Sequence, residues 1–268
     1  MKRIDTRYLL AAVAVTAMAG IVAAAANEEA GPPSVLHRTN PHDSGAPTAG
    51  STGSISPAIT YHGGSVMGAP TAYVIWYGNW NQANGSDTST GKQIVSDFLT
   101  GLDNSPYYNI NVSYGGPTGR IQLGAQTTDA YSNGSRLSDA KVQAVVRSAL
   151  TSNRLPTDTN GIYLVLTSSD VSESSGFCTR YCGWHTAATL NGANIKYSFV
   201  GNANRCLSSC AAQTTGPNGN AGVDGMVSVI AHELEEANTD PNPASGWVDS
   251  NGAENADKCA WTFGSAQS

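Results

Sequence analysis

The chain has 268 residues, of which 14 are Lys or Arg and 20 are Asp or Glu, for a net charge of −6 at neutral pH. An acidic balance of this kind disfavours nucleic acid and anionic membrane surfaces, so neither is expected as a partner. The length suits one domain of ordinary size with an extension.

The extension is at the start. Lys2, Arg3 and Arg7 precede an apolar run from Tyr8 to Ala26 that closes in small residues. This pattern predicts a signal peptide over residues 1–26. The run nearly reaches the ~20 residues of a membrane span, but its many alanines and small-residue end favour cleavage over anchoring. Without residues 1–26, which hold three basic residues and one acid, the net charge becomes −8. Residues 27–58 are rich in Pro, Gly and Ser without periodicity and read as a disordered linker. No later stretch is apolar enough to span, so the protein is expected to be secreted, with no membrane contact after cleavage. Residues 59–268 then form the single folded domain.

Along that domain, Tyr73 to Trp80 (YVIWYGNW) predicts a buried strand at its start. Thr90 and Gln93 form a capping-box pattern before a short amphipathic helix carrying Ile94, Val95, Phe98 and Leu99. Ile110–Tyr114 and Arg120–Leu123 are candidate short strands divided by Gly115-Gly116-Pro117. Ser138 is expected to cap a helix that faces inward through Val142, Val145, Val146 and Leu150. Gly161–Thr167 (GIYLVLT) is a clear strand, and Ile195–Val200 another. Interleaved strands and helices point to an α/β (α+β) fold with a mixed sheet in two or three layers.

Five cysteines stand at 178, 182, 206, 210 and 259. Cys178, Cys182, Cys206 and Cys210 form two Cys-x3-Cys pairs. In an oxidising compartment these are expected to form two disulfides rather than a zinc cluster, with all three pairings open. Cys259 is left over.

The segment AHELEEANTDP, residues 231–241, carries the chemistry. Val223 to Asn238 reads as a helix whose apolar stripe runs through Val223, Val227, Ile230 and Leu234, widened by Met226 and Ala237. His232 and Glu236 fall nearly opposite that stripe, one turn apart, so this face is expected to border a cleft. Imidazole and carboxylate at this spacing can hold one divalent ion, as His-Glu-x-x-His does in metallopeptidases. Glu233, beside the first ligand, is then placed as the catalytic base. A carboxylate in place of the second histidine makes the site harder, so the cofactor is zinc or another divalent metal. Glu254 and Asp257 rank equally as third ligand. Asp240, behind them, is expected to end the helix. The competing interpretation is a solvated acidic helix end. His185 and His62 are possible cleft residues, each more often a hydrogen-bonded structural histidine. The aromatic run at 73–80 is more often core than a glycan-stacking surface.

The segments YHGGSVMGAPTAYVIWYGNW, NGIYLVLTSSDV, GFCTRYCGWH, IKYSFVGN, VDGMVSVIAHELEEANTDP and GAENADKC together resemble the EXORDIUM/phosphate-induced protein family, covering most of residues 61–261 in the family's order. The resemblance implies an extracellular protein, in plants associated with the cell wall and with growth, and it implies no settled reaction. Relatives continue past GAENADKC to a late cysteine. A chain ending at Ser268 is therefore expected to be truncated at its C-terminus, without the partner of Cys259. The combined expectation is a secreted, disulfide-stabilised protein with a zincin-like central helix. It acts as a metal-dependent, peptidase-like hydrolase on an extracellular or cell-wall peptide or glycan. The alternative is a non-enzymatic growth or signalling protein with a structural metal or a carbohydrate-binding surface.

Overall fold

A computed structural model describes residues 57–262. The predicted leader, and the linker up to residue 56, lie outside the described residues.

Five strands make the central sheet. They are β2 (Thr71–Tyr77), β3 (Gln122–Asp129), β5 (Gly161–Thr167), β7 (Gly183–Leu190) and β8 (Ala193–Gly201), in the order β3-β2-β5-β8-β7. The first four positions are parallel, and β7 closes the far edge antiparallel to β8. Four two-residue strands form two small separate sheets, β1 (Thr60–Tyr61) with β9 (Trp247–Val248) and β4 (Arg136–Leu137) with β6 (Ser172–Glu173).

The chain leaves β2 for β3 in one direction and returns past β2 to β5 in the other. Right-handed crossovers therefore put α1 (Ser89–Leu102) and α2 (Asp139–Thr151) on opposite faces. α1 packs on β3 and on the long helix α4 (Ala221–Thr239), whereas α2 packs on β5 and β8. The result is three layers with a mixed sheet between them. β5 is covered on both sides and every one of its residues is buried, which is why it reads as an unbroken apolar run. The aromatic residues of β2 and its exit, Tyr73, Trp76, Tyr77 and Trp80, are core.

Several local expectations are corrected. α1 is capped two residues earlier than the Thr90 pattern implies, because Thr88 Oγ1 accepts from Gly91 N at 3.0 Å. Ser138 occupies the cap position of α2 without a side-chain cap bond. Tyr108–Tyr114 is a 3-10 helix rather than a strand. Its polar side chains bond local backbone instead of leaving it free for a ladder: Asn111 Nδ2 donates to Tyr108 O at 3.2 Å and Ser113 Oγ to Ile110 O at 2.7 Å. Arg120 stays outside β3, held by the Asp103 carboxylate at 2.7 and 2.8 Å.

β7 has no clear alternation and was not expected. The available signal is Asn191-Gly192 between β7 and β8, both in the left-handed region at φ 51° and 78°, as a tight hairpin turn requires. The disulfides are Cys178–Cys206 and Cys182–Cys210, each with a sequence separation of 28. They tie the segment entering β7 to the short helix α3 (Leu207–Cys210) beyond β8. Cys259 is free and exposed.

Candidate metal centre

α4 is fixed at both ends. At its start Asn220 accepts from Val223 N at 3.2 Å and donates to Ser86 O at 3.2 Å, anchoring the cap to the loop before α1. At its end the Asp240 carboxylate accepts from the backbone of Ala244, Ser245 and Gly246 at 2.6, 3.0 and 2.6 Å. Asp240 is thus the helix-ending residue expected from its place before Pro241.

The acids of the motif are not solvated. Glu233, Glu235 and Glu236 are 0%, 4% and 1% exposed, which removes the solvated helix end as an explanation. The helix is enclosed along nearly its whole last half, so its polar face turns inward rather than onto open solvent.

Two overlapping groups of ligand atoms gather there, each within 4.8 Å internally: His232, Glu236 and Asp257, and His185, Glu233 and Glu236. In the outer group His232 Nε2 lies 2.8 Å from Glu236 Oε1 and 3.4 Å from Asp257 Oδ1. In the inner group His185 Nδ1 lies 3.4 Å from Glu233 Oε2 and 3.6 Å from Glu236 Oε2. Glu254 Oε1 approaches the other face of that imidazole, 3.6 Å from Nε2. The two candidate third acids are therefore separated: Asp257 stands at His232 and Glu254 at His185. A turn positions both. Asp249 accepts from Asn251 N and Ala253 N at 2.7 and 2.9 Å, and Glu254 N donates to Asp257 Oδ2 at 3.1 Å, leaving Oδ1 for His232. Lys258 pairs with Asp249 on the outside of this turn.

His185 comes from β7, opposite Ser198 of β8. Sequence reasoning kept it as an optional cleft residue because nothing local reveals that the hairpin carries it to α4. Gly183 permits the approach: a Cβ there would sit 2.5 Å from Val229 Cγ1 and 3.2 Å from Glu233 Oε1. His62 is not brought to the site. It is exposed, with Nε2 3.2 Å from both Thr60 Oγ1 and Val248 O.

The electrostatics are those of carboxylates and imidazoles confined together. Burial opposes the charged form of His232, but Glu236, Asp257 and Glu233 outweigh it and hold its pKa well above the ordinary value. At His185 burial is likewise outweighed, by Glu254, Glu233 and Glu236. Burial would raise Glu236, yet the two imidazoles pull it down to about 2. Burial lifts Glu233 to about 7 and Glu235 to about 8.

The residues fit a cation. His232 Nε2, Glu236 Oε1 and Glu233 Oε1 are buried without a hydrogen-bond partner, although the first two atoms are only 2.8 Å apart. Mixed nitrogen and oxygen ligands suit zinc or a harder divalent ion. The outer group also has access. His232 lines a cavity of 490 Å3 between α4, the 3-10 helix at 108–114 and the segment at 255–262. Glu233 does not line that cavity; it lies on the inner side, against His185.

A family profile, the phosphate-induced protein 1 conserved region, matches residues 59–268. Protein EXORDIUM-like 3 and Protein EXORDIUM-like 5 of Arabidopsis thaliana are each 33% identical to this chain over 68% of it, and over 62% and 58% of their own lengths. Protein PHOSPHATE-INDUCED 1 of Nicotiana tabacum is 27% identical over 68% of this chain and 65% of its own. The chain thus spans about three fifths of the length of these curated relatives. No solved structure matches it.

Proposed function

This chain belongs to the phosphate-induced protein 1 family, and from that premise we propose that it is a secreted, metal-dependent hydrolase of the peptidase type, acting on an extracellular or cell-wall component. The observation that carries this reading is the convergence of His232, Glu236 and Asp257, with His232 itself on the wall of a ligand-sized cavity. Three protein ligands with one open side is the arrangement of a catalytic rather than a structural site. A divalent ion held there supplies Lewis acidity and an acidic bound water. Glu236 and Asp257 supply the negative charge that keeps the ion, and His232 the nitrogen that orders it. Glu233, adjacent to His232, is the base. Its Oε1 hydrogen-bonds to nothing while Oε2 faces His185, which orients the carboxyl. The two disulfides support export, since such bonds persist in oxidising compartments. Among the described residues no helix is long and apolar enough to cross a membrane.

A second reading has its own support. His185, Glu233 and Glu236 have side chains no more than 1% exposed, and an ion enclosed by them would be structural. The protein would then serve as a non-enzymatic extracellular factor.

Elemental mass spectrometry on the purified protein, on His232→Ala and on His185→Ala separates the two. An ion lost only from His232→Ala, with peptide hydrolysis abolished in Glu233→Gln while the ion stays, supports the hydrolase. An ion lost only from His185→Ala supports the structural role. A folded wild-type protein without any ion, even after metal is supplied, refutes both.

A further inference from the structure

Glu236 faces two imidazoles with its two oxygens. Oε1 lies 2.8 Å from His232 Nε2 and Oε2 lies 3.6 Å from His185 Nδ1, so the outer and inner groups share one carboxylate. The separations within the inner group are wide for hydrogen bonds. His185 Nδ1 stands 3.4 Å from Glu233 Oε2 and 3.6 Å from Glu236 Oε2, whereas an ordinary N–H···O bond spans ~2.7–3.2 Å. Ligand atoms held at ~2.0–2.2 Å from one tetrahedral ion lie ~3.3–3.6 Å from each other, which matches both inner distances. In the outer group the 3.4 Å from His232 Nε2 to Asp257 Oδ1 fits the same geometry. The 2.8 Å to Glu236 Oε1 is a hydrogen-bond length and would lengthen by about 0.5 Å around an ion.

The surroundings of His185 prepare it as a ligand. Its Nε2 is 3.2 Å from the Asp240 carbonyl oxygen, which only accepts, and 3.6 Å from Glu254 Oε1. Both neighbours favour a proton on Nε2, so in the neutral ring the Nδ1 lone pair is the one directed at Glu233 and Glu236. Glu254 thereby orients a ligand of the inner group instead of serving the outer one. Charge favours a second ion. Four carboxylates, Glu233, Glu236, Glu254 and Asp257, surround the two imidazoles. One divalent ion offsets two of these charges and leaves two confined with them, which is costly in a buried setting. Two divalent ions offset all four. We propose that the two groups fill together, as a two-ion centre bridged by Glu236. His232 and Asp257 complete the ligands of the outer ion, and His185 and Glu233 Oε2 those of the inner one. Glu233 Oε1, buried without a hydrogen-bond partner, stays available for a proton. Paired ions ~3.5–4 Å apart are a known arrangement for hydrolysis. The proposal rests on the outer ion of the hydrolase reading and makes the inner ion its companion, not its alternative.

The test strips the full chain of metal by chelation, reloads it with zinc or manganese(II), and counts ions per chain by elemental mass spectrometry after excess metal is removed. The wild type should hold two ions. His232→Ala and His185→Ala should each hold one, and Glu236→Gln, which cannot bridge as an anion, one at most. Asp257→Ala, at the partly exposed turn, should also hold one and decides the matter if the histidine variants do not fold. Manganese adds a readout that two unrelated sites do not give. A shared carboxylate couples the two spins, so the paramagnetic resonance signal per ion should be weaker in the wild type than in Asp257→Ala. Saturation of the wild type at one ion or none overturns the proposal. So do two ions with additive manganese signals, or a second ion that survives all of these substitutions. One ion lost from His232→Ala but kept by His185→Ala overturns the pair and leaves the hydrolase reading standing. Two coupled ions in a protein that cleaves no peptide uphold the pair and sink the hydrolase reading instead.

Discussion

Replacing Glu235 with glutamine should remove a large part of the pH dependence of folding stability in the metal-free protein. In the folded state burial raises the Glu235 pKa from the ordinary 4.5 to about 8. The sign follows from linkage. A group whose folded pKa is raised contributes its stability fully below the unfolded value and loses it as pH climbs through the folded one. Between pH 4.5 and 8 the unfolded chain has released a proton that the folded chain keeps. At ~1.4 kcal/mol per pH unit this amounts to about 5 kcal/mol, and to about half of that once water entering the adjoining cavity is allowed for. Urea denaturation of wild type and Glu235→Gln across this range is the assay, with chelator present throughout. The two stabilities should diverge as pH rises, with the glutamine variant ahead by about 2–5 kcal/mol above pH 8. Parallel curves would show that Glu235 is solvated and would remove the reasoning.

Three further outcomes are expected. Metal affinity should rise with pH, because the raised pKa values of His232 and His185 mean that an ion must displace protons there. Below those values each displaced proton is worth about tenfold in affinity per pH unit, read by competition with a chromophoric chelator. Removing the Cys178–Cys206 disulfide by paired serine substitutions should cost about 2.5 kcal/mol in guanidinium denaturation, because the neighbouring Cys182–Cys210 bond already restrains most of the loop. Gly183→Ala should cost about 1–3 kcal/mol and weaken ion binding at the inner group. Its new methyl would meet both Val229 Cγ1 at 2.5 Å and the Phe199 carbonyl at 2.9 Å, and the carbonyl is backbone that cannot turn aside.

Much of this was legible in the sequence because it is local. Gly161–Thr167 is buried on both faces, so its apolar run maps directly onto β5. The helical spacing over 223–238 gave α4 nearly to its ends, and Asp240 before Pro241 gave its stop. What remained hidden is long-range. His185 reaches Glu233 across 48 residues through a hairpin whose first strand lacks alternation, because both of its faces are largely covered. Glu254 and Asp257 were indistinguishable by spacing, and only the turn fixed by Asp249 sends them to different imidazoles. The pairing of the cysteines depended on the same hairpin. The 3-10 helix at 108–114 was misread because β-branched residues outweighed the local bonds of Ser and Asn.

The order of these parts along the chain has a kinetic consequence. All five strands of the central sheet lie between residues 71 and 201, and the last bonded cysteine is Cys210, whereas α4 begins at Ala221. A chain made from its N-terminus therefore completes the sheet and can close both cross-links before the acid-bearing helix exists. The β7–β8 hairpin, already stapled, then serves as a template against which α4 docks. The slow step of maturation becomes the desolvation of Glu233 and Glu236 against His185, and a cation present at that moment should accelerate it.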